Sequence, residues 1–527
     1  MKRNFFKLTF TSGLLLYSLH SFAESISELV PALEKHHGML VFSVPVRIGE
    51  LDPIITTNAH TKFTLPLIFE SLITISPQQE LQPVLAKSWS ISKDGRSVII
   101  NIKPGHKFSD SSEVTAKDVY NSIMRLCSKG SHEYGELNGL AGCADHPKDN
   151  HMMPTMQMLG KYSIKFTIKN SPTTFLYQLS SPATVITKNS ETGIIGSAPY
   201  RVDMINRDYT ILSKNPYYAG NHTPKNDGIA LFYAGGPDIM DTLNTSKPDG
   251  ALMYRMQDIS EFHDGNYKLI RSNPNITEIL VLNNQRYPFN IPLVRKALAN
   301  TIYNNFDSTC TSGSHQSYGV IPNGIGGSIN NIAPSKLPDI KPATLFASVP
   351  SLKDHPATII LHQLSDLKSD CEAKKIIQAC KRYNIDIQFK YHQDYADLLP
   401  LYQNHKLDGF LDLYVFKNRE AYKVFEFFTT RGENDANIHD DKIDKLLTKA
   451  SKTSSSHGRF QQYRELAQYM QDKNIIIPMF YMDHGNLVNH CISGISEDFY
   501  FNPFSFLPQL SKSNNCHHLE GMTQHVK

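Results

Sequence analysis

The chain has 527 residues, 40% hydrophobic and 20% charged, so it exceeds one compact core, is not disordered, and is expected to form roughly two to four domains. After the first two dozen positions no run of about 20 apolar residues occurs, which argues against a membrane-spanning helix there. The formal net charge of +3 is matched by Lys2, Arg3 and Lys7 alone, so the remainder is near neutral and suits neither nucleic acid nor an anionic membrane as main partner.

The N-terminus, MKRNFFKLTFTSGLLLYSLHSFAES, joins that positive head to an apolar stretch centred on Leu14, Leu15 and Leu16. Ser21 and Ala23 supply the small side chains of a cleavage site. Residues 1–23 therefore read as an export signal rather than a membrane anchor, for which the apolar stretch is too short. No Cys follows the cut, so the usual route to a bacterial lipid anchor is missing.

MLVFSVPV, Met39–Val46, predicts a short apolar strand, with a turn at Leu51–Pro53 and a helix over Leu65–Leu72. From Trp89, WSISKDGRSVIINI predicts a hairpin: Asp94-Gly95 is a turn dipeptide, and Val98, Ile100 and Ile102 alternate after it. Thr115 is placed to cap the helix AKDVYNSIMRL, whose apolar side carries Val119, Ile123 and Leu126. Strands follow at Tyr162–Ile168, Tyr209–Ser213 and Glu278–Leu282, then a helix at Val294–Ile302. The Pro-, Ser- and Lys-rich stretch from Ser335 to Pro356 reads as a long surface connection.

A β-α-β unit comes next: strand ATIILH, helix DCEAKKIIQACKRY and strand IDIQFKY. In LDLYVF, Leu411, Leu413 and Val415 alternate with Asp412, Tyr414 and Phe416, and Lys417 occupies the next position on the aliphatic side. The helices KIDKLLTKA and YRELAQYMQ precede a last strand, IIIPMFYM, and the tail after Ser511 is polar and expected to be loose. The mixture is α/β or α+β with several sheets.

No catalytic motif is present: GxSxG, HExxH and GxxxxGK[ST] are all missing. NGIGGS, Asn323–Ser328, lacks the flanking strand and helix of a phosphate loop. His36-His37 and Cys516-His517-His518 lack the spacing of a closed zinc site. No enzyme, metal or cofactor is therefore expected. Seven cysteines leave at least one without an intramolecular partner. Cys371 and Cys380 lie too far apart along one helix to bond each other. Cys127 and Cys143 bracket a Gly-, Ser- and His-containing excursion and are either a disulfide or two free thiols.

From Leu81 to Val119, LQPVLAKSWSISKDGRSVIINIKPGHKFSDSSEVTAKDV resembles the signature of family 5 extracellular solute-binding proteins, the oligopeptide- and dipeptide-binding components of ABC importers. The matching residues are Leu85-Ala86, Ser88-Trp89, Asp94-Gly95, Gly105, Lys107-Phe108, Asp110, Thr115-Ala116 and Asp118-Val119. Ser111 stands where the family usually has Gly. Similar segments continue in family order: Leu51-Asp52-Pro53, Ile68–Leu72, Gly196–Tyr200 (with Ala198 for a Gly), Asn215–Tyr218, Asn283 with Pro288-Phe289, Val294–Leu298, Ile443–Leu447 and Ile477-Pro478.

The resemblance implies a two-lobed periplasmic binding protein fold (type II, cluster C), with three domains, a hinge and an interlobe ligand cleft. Domain I would comprise residues 24–62, 188–275 and 495–527, the last ending in a loose tail. Domain II would be inserted at 63–187, and domain III would span 276–494. The implied protein is periplasmic and monomeric, binds an extended peptide through its main chain, and serves an inner-membrane ABC permease whose ATPase subunits are separate chains.

In peptide-binding members, an aromatic residue after the domain III strand is followed by an Asp that pairs with the ligand's α-ammonium group. Aligned without gaps from Asp408, Tyr414 takes the aromatic position and Lys417 the Asp position, reversing the charge. Three readings stand open. The register is offset and Glu420 or Asp412 supplies the acid; or peptides bind with Lys417 meeting a carboxylate; or the cleft serves an anionic solute such as a peptidoglycan-derived peptide. Further ligand-facing candidates by the same resemblance are Thr57, Ala59, Tyr134, Tyr395, Leu399, Tyr402, Leu413, Val415 and Phe416, with core packing as the alternative for each aromatic. A chaperone or adhesin that has kept the fold and lost import is the rival function.

Overall fold

The computed structural model describes residues 38–513, apart from 57–58, 77–79, 129–130, 132–133, 144–153, 170, 192, 207, 221–222, 236–238, 260–261, 273–274, 306–314, 330–335, 365–368, 393–396, 399, 402–403, 417–419, 431, 433, 454 and 497–502. The export signal and both His-rich clusters lie outside the described residues.

The chain opens with β1 (Met39–Val44) and α1 (Ala59–Ile68). It then builds a four-stranded antiparallel sheet from β2 (Ala86–Ile91), β3 (Ser97–Ile102), β4 (Met156–Gly160) and β5 (Ser163–Thr167), in the order β2-β3-β5-β4. Helices α2 (Ala116–Leu126) and α3 (Pro172–Gln178) belong to this unit. It returns to β1 with β6 (Tyr200–Ile205), β7 (Tyr209–Lys214), β8 (Gly228–Tyr233), β9 (Gly250–Arg255) and β10 (Tyr267–Arg271).

A second mixed sheet follows: β11 (Ile276–Leu282), β12 (His315–Gln316), β13 (Ala357–Leu364), β14 (Ile385–His392), β15 (Gly409–Val415) and β16 (Ile476–Met482), ordered β12-β16-β11-β15-β13-β14. Its helices are α4 (Pro292–Asn305), α5 (Asp370–Lys381), α6 (Tyr422–Glu426), α7 (Asp441–Ser451) and α8 (Ser456–Asp472). Finally β17 (His484–Asn489) closes the first sheet, giving the order β6-β7-β8-β1-β9-β17-β10.

Each unit has its own core, and the patterns that predict the elements also place those cores. In the four-stranded unit Val98, Ile100 and Ile102 are buried with Val119, Ile123 and Leu126 of α2. The Thr115 N–H and hydroxyl donate to Asp118 at 2.8 and 2.6 Å, holding the first turn of α2. In the six-stranded unit helices cover both faces. Leu280, Leu282 and Leu411 pack with α4 and α5, while Ile279, Val281 and Phe410 pack with α6, α7 and α8.

Several expectations change. The helix expected at Leu65–Leu72 runs Ala59–Ile68 instead. The carbonyls of Ile68, Glu70 and Leu72 are taken by the N–H groups of Ala198, Ile186 and Ala86, which holds the chain beyond Ile68 extended. Leu65, Leu67 and Ile68 pack into the core of the seven-stranded sheet rather than with the inserted unit. The stretch 335–356 carries two short helices, Pro342–Ser348 and Pro350–Asp354, because Leu345, Val349 and Leu352 recur at helical spacing and are buried against α4 and α5. β17 belongs to the seven-stranded sheet, so the last strand of the six-stranded sheet ends at Met482. Lys512 pairs its ammonium with buried Asp249 at 2.8 Å, and the tail beyond Ser513 lies outside the described residues.

Cys127 and Cys143 form a disulfide with Cα atoms 5.0 Å apart. Cys371 and Cys491 are each disulfide-bonded, but not to one another, and Cys380 is a buried free thiol.

The motifs shared with the family hold units together. The Ser197 hydroxyl donates to Glu70 at 2.8 Å, and the Asn215 side-chain amide donates to the Ala198 carbonyl at 2.9 Å. Gly196 is required where it stands, since a Cβ there would lie 2.0 Å from the Ile68 carbonyl oxygen. Ser111, the residue at the family's Gly position, has φ of 72°, a region that costs a side-chain-bearing residue about 1–2 kcal/mol. Ser111→Gly is therefore expected to stabilise the protein by about 1 kcal/mol in urea denaturation. No gain, or a loss, would show that the turn carries no such strain.

Candidate functional site

The site is built at one end of the six-stranded sheet. β13, β14 and β15 run parallel, with Leu364 opposite His392 and Leu361 opposite Gly409, so their carboxyl ends share an edge. In α/β sheets that edge is where ligands bind. Here it abuts the two places where the chain crosses to the seven-stranded sheet. Ile276, at the start of β11, lies opposite Val415 at the end of β15, and the Phe416 N–H donates to the Asn275 carbonyl at 2.8 Å. At the crossings the Ser272 N–H donates to the His484 carbonyl at 2.7 Å, and Arg271 pairs with Asp483 at 3.0 Å.

β15 keeps the alternation read from its sequence, but its aromatic face belongs to the core. Tyr414 is buried; its hydroxyl donates to Asp435 at 2.6 Å and its ring meets Phe427 and Phe428 at 5.6 and 5.2 Å. Phe416 is wholly buried in the same cluster. Both therefore act here as packing, the alternative weighed for every aromatic candidate. Leu413 and Val415 are part-exposed and point to the other face, opposite Glu278 and Ile276.

Ala59 opens α1, and Tyr134 begins a short 3-10 turn, Tyr134–Leu137, in the four-stranded unit. Thr57, Tyr395, Leu399, Tyr402 and Lys417 lie outside the described residues.

Of the two acids that would answer a ligand ammonium in the offset register, Asp412 is part-buried on β15 and accepts from the Leu413 N–H at 2.8 Å, and Glu420 is engaged by an arginine. Glu420, just past β15, accepts from the Arg459 side chain of α8 at 3.3 Å. Burial opposes the Arg459 charge, but Glu420, Tyr463 and Tyr177 hold the guanidinium above its ordinary range. On its other side the guanidinium lies 4.1 Å over the ring of Tyr177, which belongs to α3 of the four-stranded unit.

Among the described residues two further bonds join the four- and six-stranded units, one of them braced from within the four-stranded unit by Gln178. Asn138 donates to Glu426 at 2.5 Å and accepts from Gln178 at 2.6 Å, and the Thr174 hydroxyl donates to the Ser451 carbonyl at 3.0 Å. The edge that carries the strand ends is thus bordered by contacts between the two units.

Two buried titratable pairs lie in the six-stranded unit. His362 of β13 and His392 of β14 stack with centroids 5.1 Å apart and share a hydrogen bond of 2.9 Å. Burial, then the charges of His392 and Lys390, lower His362 to about 4, so it is neutral at ordinary pH. Glu278 of β11 and Glu372 of α5 are both buried and hydrogen-bonded to each other. Burial raises both; Glu278 reaches about 7, with Asp412 adding to the rise while the bond to Glu372 opposes it.

None of Arg459, Tyr177, Glu278 and Glu372 stands out as a motif. A signal exists for three of them. Arg459 lies on the stripe of α8 that buries Tyr463, Leu466, Ala467 and Met470; Glu372 lies on the stripe of α5 with Ala373, Ile376 and Ala379; and Glu278 interrupts the apolar strand ITEILVL. A charge at a core phase marks a built ion pair or a perturbed acid.

The model of "Bacterial extracellular solute-binding proteins, family 5 Middle" matches residues 80–435. The chain belongs to this family. Its fold is the two-lobed α/β binding-protein fold. It is 24% identical over 274 residues to the glutathione-binding protein GsiB of Escherichia coli (strain K12), a match covering 49% of this chain and 51% of the relative. The chain thus spans about half the length of the curated relatives it matches.

Among solved structures it is similar to the ABC transporter-associated periplasmic binding protein DppA from Helicobacter pylori in complex with peptide STSA (TM-score 0.71, 19% identity, 90% of this chain and 98% of that one). It is also similar to NikA from Brucella suis in complex with Fe(III)-EDTA (TM-score 0.74, 16% identity, 90% and 100%). At these identities the likeness concerns the fold. The family's members are substrate-binding proteins of ABC importers, which deliver a ligand to a permease and its ATPase, and are not enzymes. No helix among the described residues is long and apolar enough to cross a membrane.

Proposed function

We propose that the protein is exported through residues 1–23 to the periplasm, captures oligopeptides as a monomer between its lobes, and hands them to an inner-membrane ABC permease. The observation that carries the reading is the shared edge of the carboxyl ends of β13, β14 and β15, set beside the chain crossings and bordered by contacts to the opposite unit. That arrangement suits a ligand held between two bodies that move about the crossings. The bound peptide in the H. pylori DppA structure supports the peptide class, while the Fe(III)-EDTA held by B. suis NikA illustrates that the fold does not fix the ligand.

Thr57, Ala59, Tyr134, Tyr395, Leu399, Tyr402, Leu413, Val415 and Lys417 are the proposed ligand-facing positions, with Tyr414 and Phe416 as the scaffold behind them. Native mass spectrometry of protein purified from its host should show co-purifying mixed short peptides. Lys417→Asp is expected to change that profile, because reversing one charge in a cleft changes which ligand termini it tolerates. An unchanged profile removes Lys417 from the site. A single acidic solute supports the anionic-ligand alternative, and empty protein unresponsive to peptide libraries in thermal melts would overturn the importer reading.

A further inference from the structure

The contact between Arg459 and Tyr177 is built unlike the other contacts between the two units. Arg459 is anchored in α8 with its side chain 3% exposed, and within its own unit it meets Glu420. Its Nη2 lies 3.3 Å from the Glu420 carboxylate, yet neither Nη1 nor Nη2 makes a hydrogen bond of good geometry. The side chain that covers the guanidinium from the opposite unit is the Tyr177 ring, 4.1 Å from its central carbon. A buried guanidinium that is only partly hydrogen-bonded is costly, and an aromatic face offsets only part of that cost.

Separating the units would return water to those N–H groups and lose the ring. Bringing them together does the reverse. Two opposed terms of similar size give a contact that can close and reopen, which a fully hydrogen-bonded ion pair in the same place would resist.

From this arrangement we propose that Tyr177 and Arg459 form a clasp that sets the balance between open and closed lobes, with Glu420 as its positioning residue. The proposal rests on the two-lobed binding reading but not on the identity of the solute. Glu420 follows β15 closely in the chain, so a change at the carboxyl end of β15 reaches the clasp through Glu420 and Arg459. Asn138–Glu426, charge-assisted through the carboxylate, and Thr174–Ser451 also cross between the units, but there water can satisfy both partners once the units part. The clasp is therefore the cross-lobe contact whose removal should move the balance most.

The test is a ligand-free distance measurement on the full mature chain, by double electron–electron resonance between spin labels at Lys117→Cys in the four-stranded unit and Lys445→Cys in the six-stranded unit, both exposed positions. The unsubstituted chain should populate the short distance of the closed arrangement. Tyr177→Ala should shift the closed-to-open ratio roughly ten-fold toward open, the scale of one desolvated cation–π contact. Tyr177→Phe, which keeps the ring face, should restore the ratio.

Thermal melts should be alike for all three, since Tyr177 is only half-buried. A distribution unmoved by Tyr177→Ala, a Phe variant as open as the Ala variant, or a ligand-free chain with no closed population would each overturn the clasp. Failure to find a co-purifying solute would count against the peptide reading and leave these distances unaffected.

Discussion

Glu420→Ala is expected to lower the stability of the six-stranded unit by about 3–5 kcal/mol, the usual result of removing one partner from a buried ion pair. Arg459 and Glu420 have side chains 3% and 11% exposed and lie 3.3 Å apart. With the carboxylate gone, a full positive charge stays buried among Tyr177, Phe460 and Tyr463 with no anion to answer it. The loss should be read as a fall in the urea midpoint at constant slope.

The coupling can be isolated by a double-mutant cycle. Glu420→Leu alone strands Arg459 as Glu420→Ala does, Arg459→Met alone leaves Glu420 with a lost partner, and each should destabilise. Glu420→Leu with Arg459→Met removes both charges and should recover most of the loss, because apolar replacement of a buried pair is often neutral. A single-variant loss below about 1 kcal/mol, the level of an exposed pair, would show that water reaches the guanidinium and that the pair is not buried in solution.

How far the sequence led depends on what kind of pattern each element needs. The capped helix at Ala116–Leu126 and the hairpin around Asp94-Gly95 are local, each specified by a few neighbouring residues, and both form as read. The β-α-β unit from Ala357 to His392 is equally legible, since period and length separate its strands from its helix. Alternation in Leu411–Phe416 correctly gives two faces. It does not say which face is covered, because the helices that bury Tyr414 and Phe416 come later in the chain.

The helices in 342–354 are hidden by composition: Pro, Ser and Lys suggest a loop, while the buried positions Leu345, Val349 and Leu352 are few. The clasp is less legible still. It joins residue 177 to residue 459 through a shape that exists only when two units meet, and neither stretch encodes the other. The shared family motifs, by contrast, read as signature and prove to be joints, as Glu70 with Ser197 illustrates.

The second large effect concerns pH and the acid pair of Glu278 and Glu372. Glu278, in the strand that begins at the crossing, titrates near 7 in the folded protein against an ordinary value of 4.5, burial being the main cause. Between those values the folded protein holds a proton that the unfolded chain has released, so stability must fall as pH rises through this window. The contribution is fully present below about 4.5 and exhausted above about 7, and two and a half units correspond to roughly 3 kcal/mol.

Glu278→Gln removes this titration while keeping a group that can hydrogen-bond to Glu372. Urea denaturation at intervals from pH 4 to pH 8 should therefore show the variant gaining on the unsubstituted chain from about pH 4.5 to 7, with a constant gap beyond. Glu372 is also raised by burial and by the neighbouring Glu278 charge. A residual fall in stability with pH should thus persist in the single variant and disappear when Glu372→Gln is added. Parallel curves for the variant and the unsubstituted chain would mean that the pair is hydrated, and that the strand leading from the crossing carries no stored charge repulsion at neutral pH.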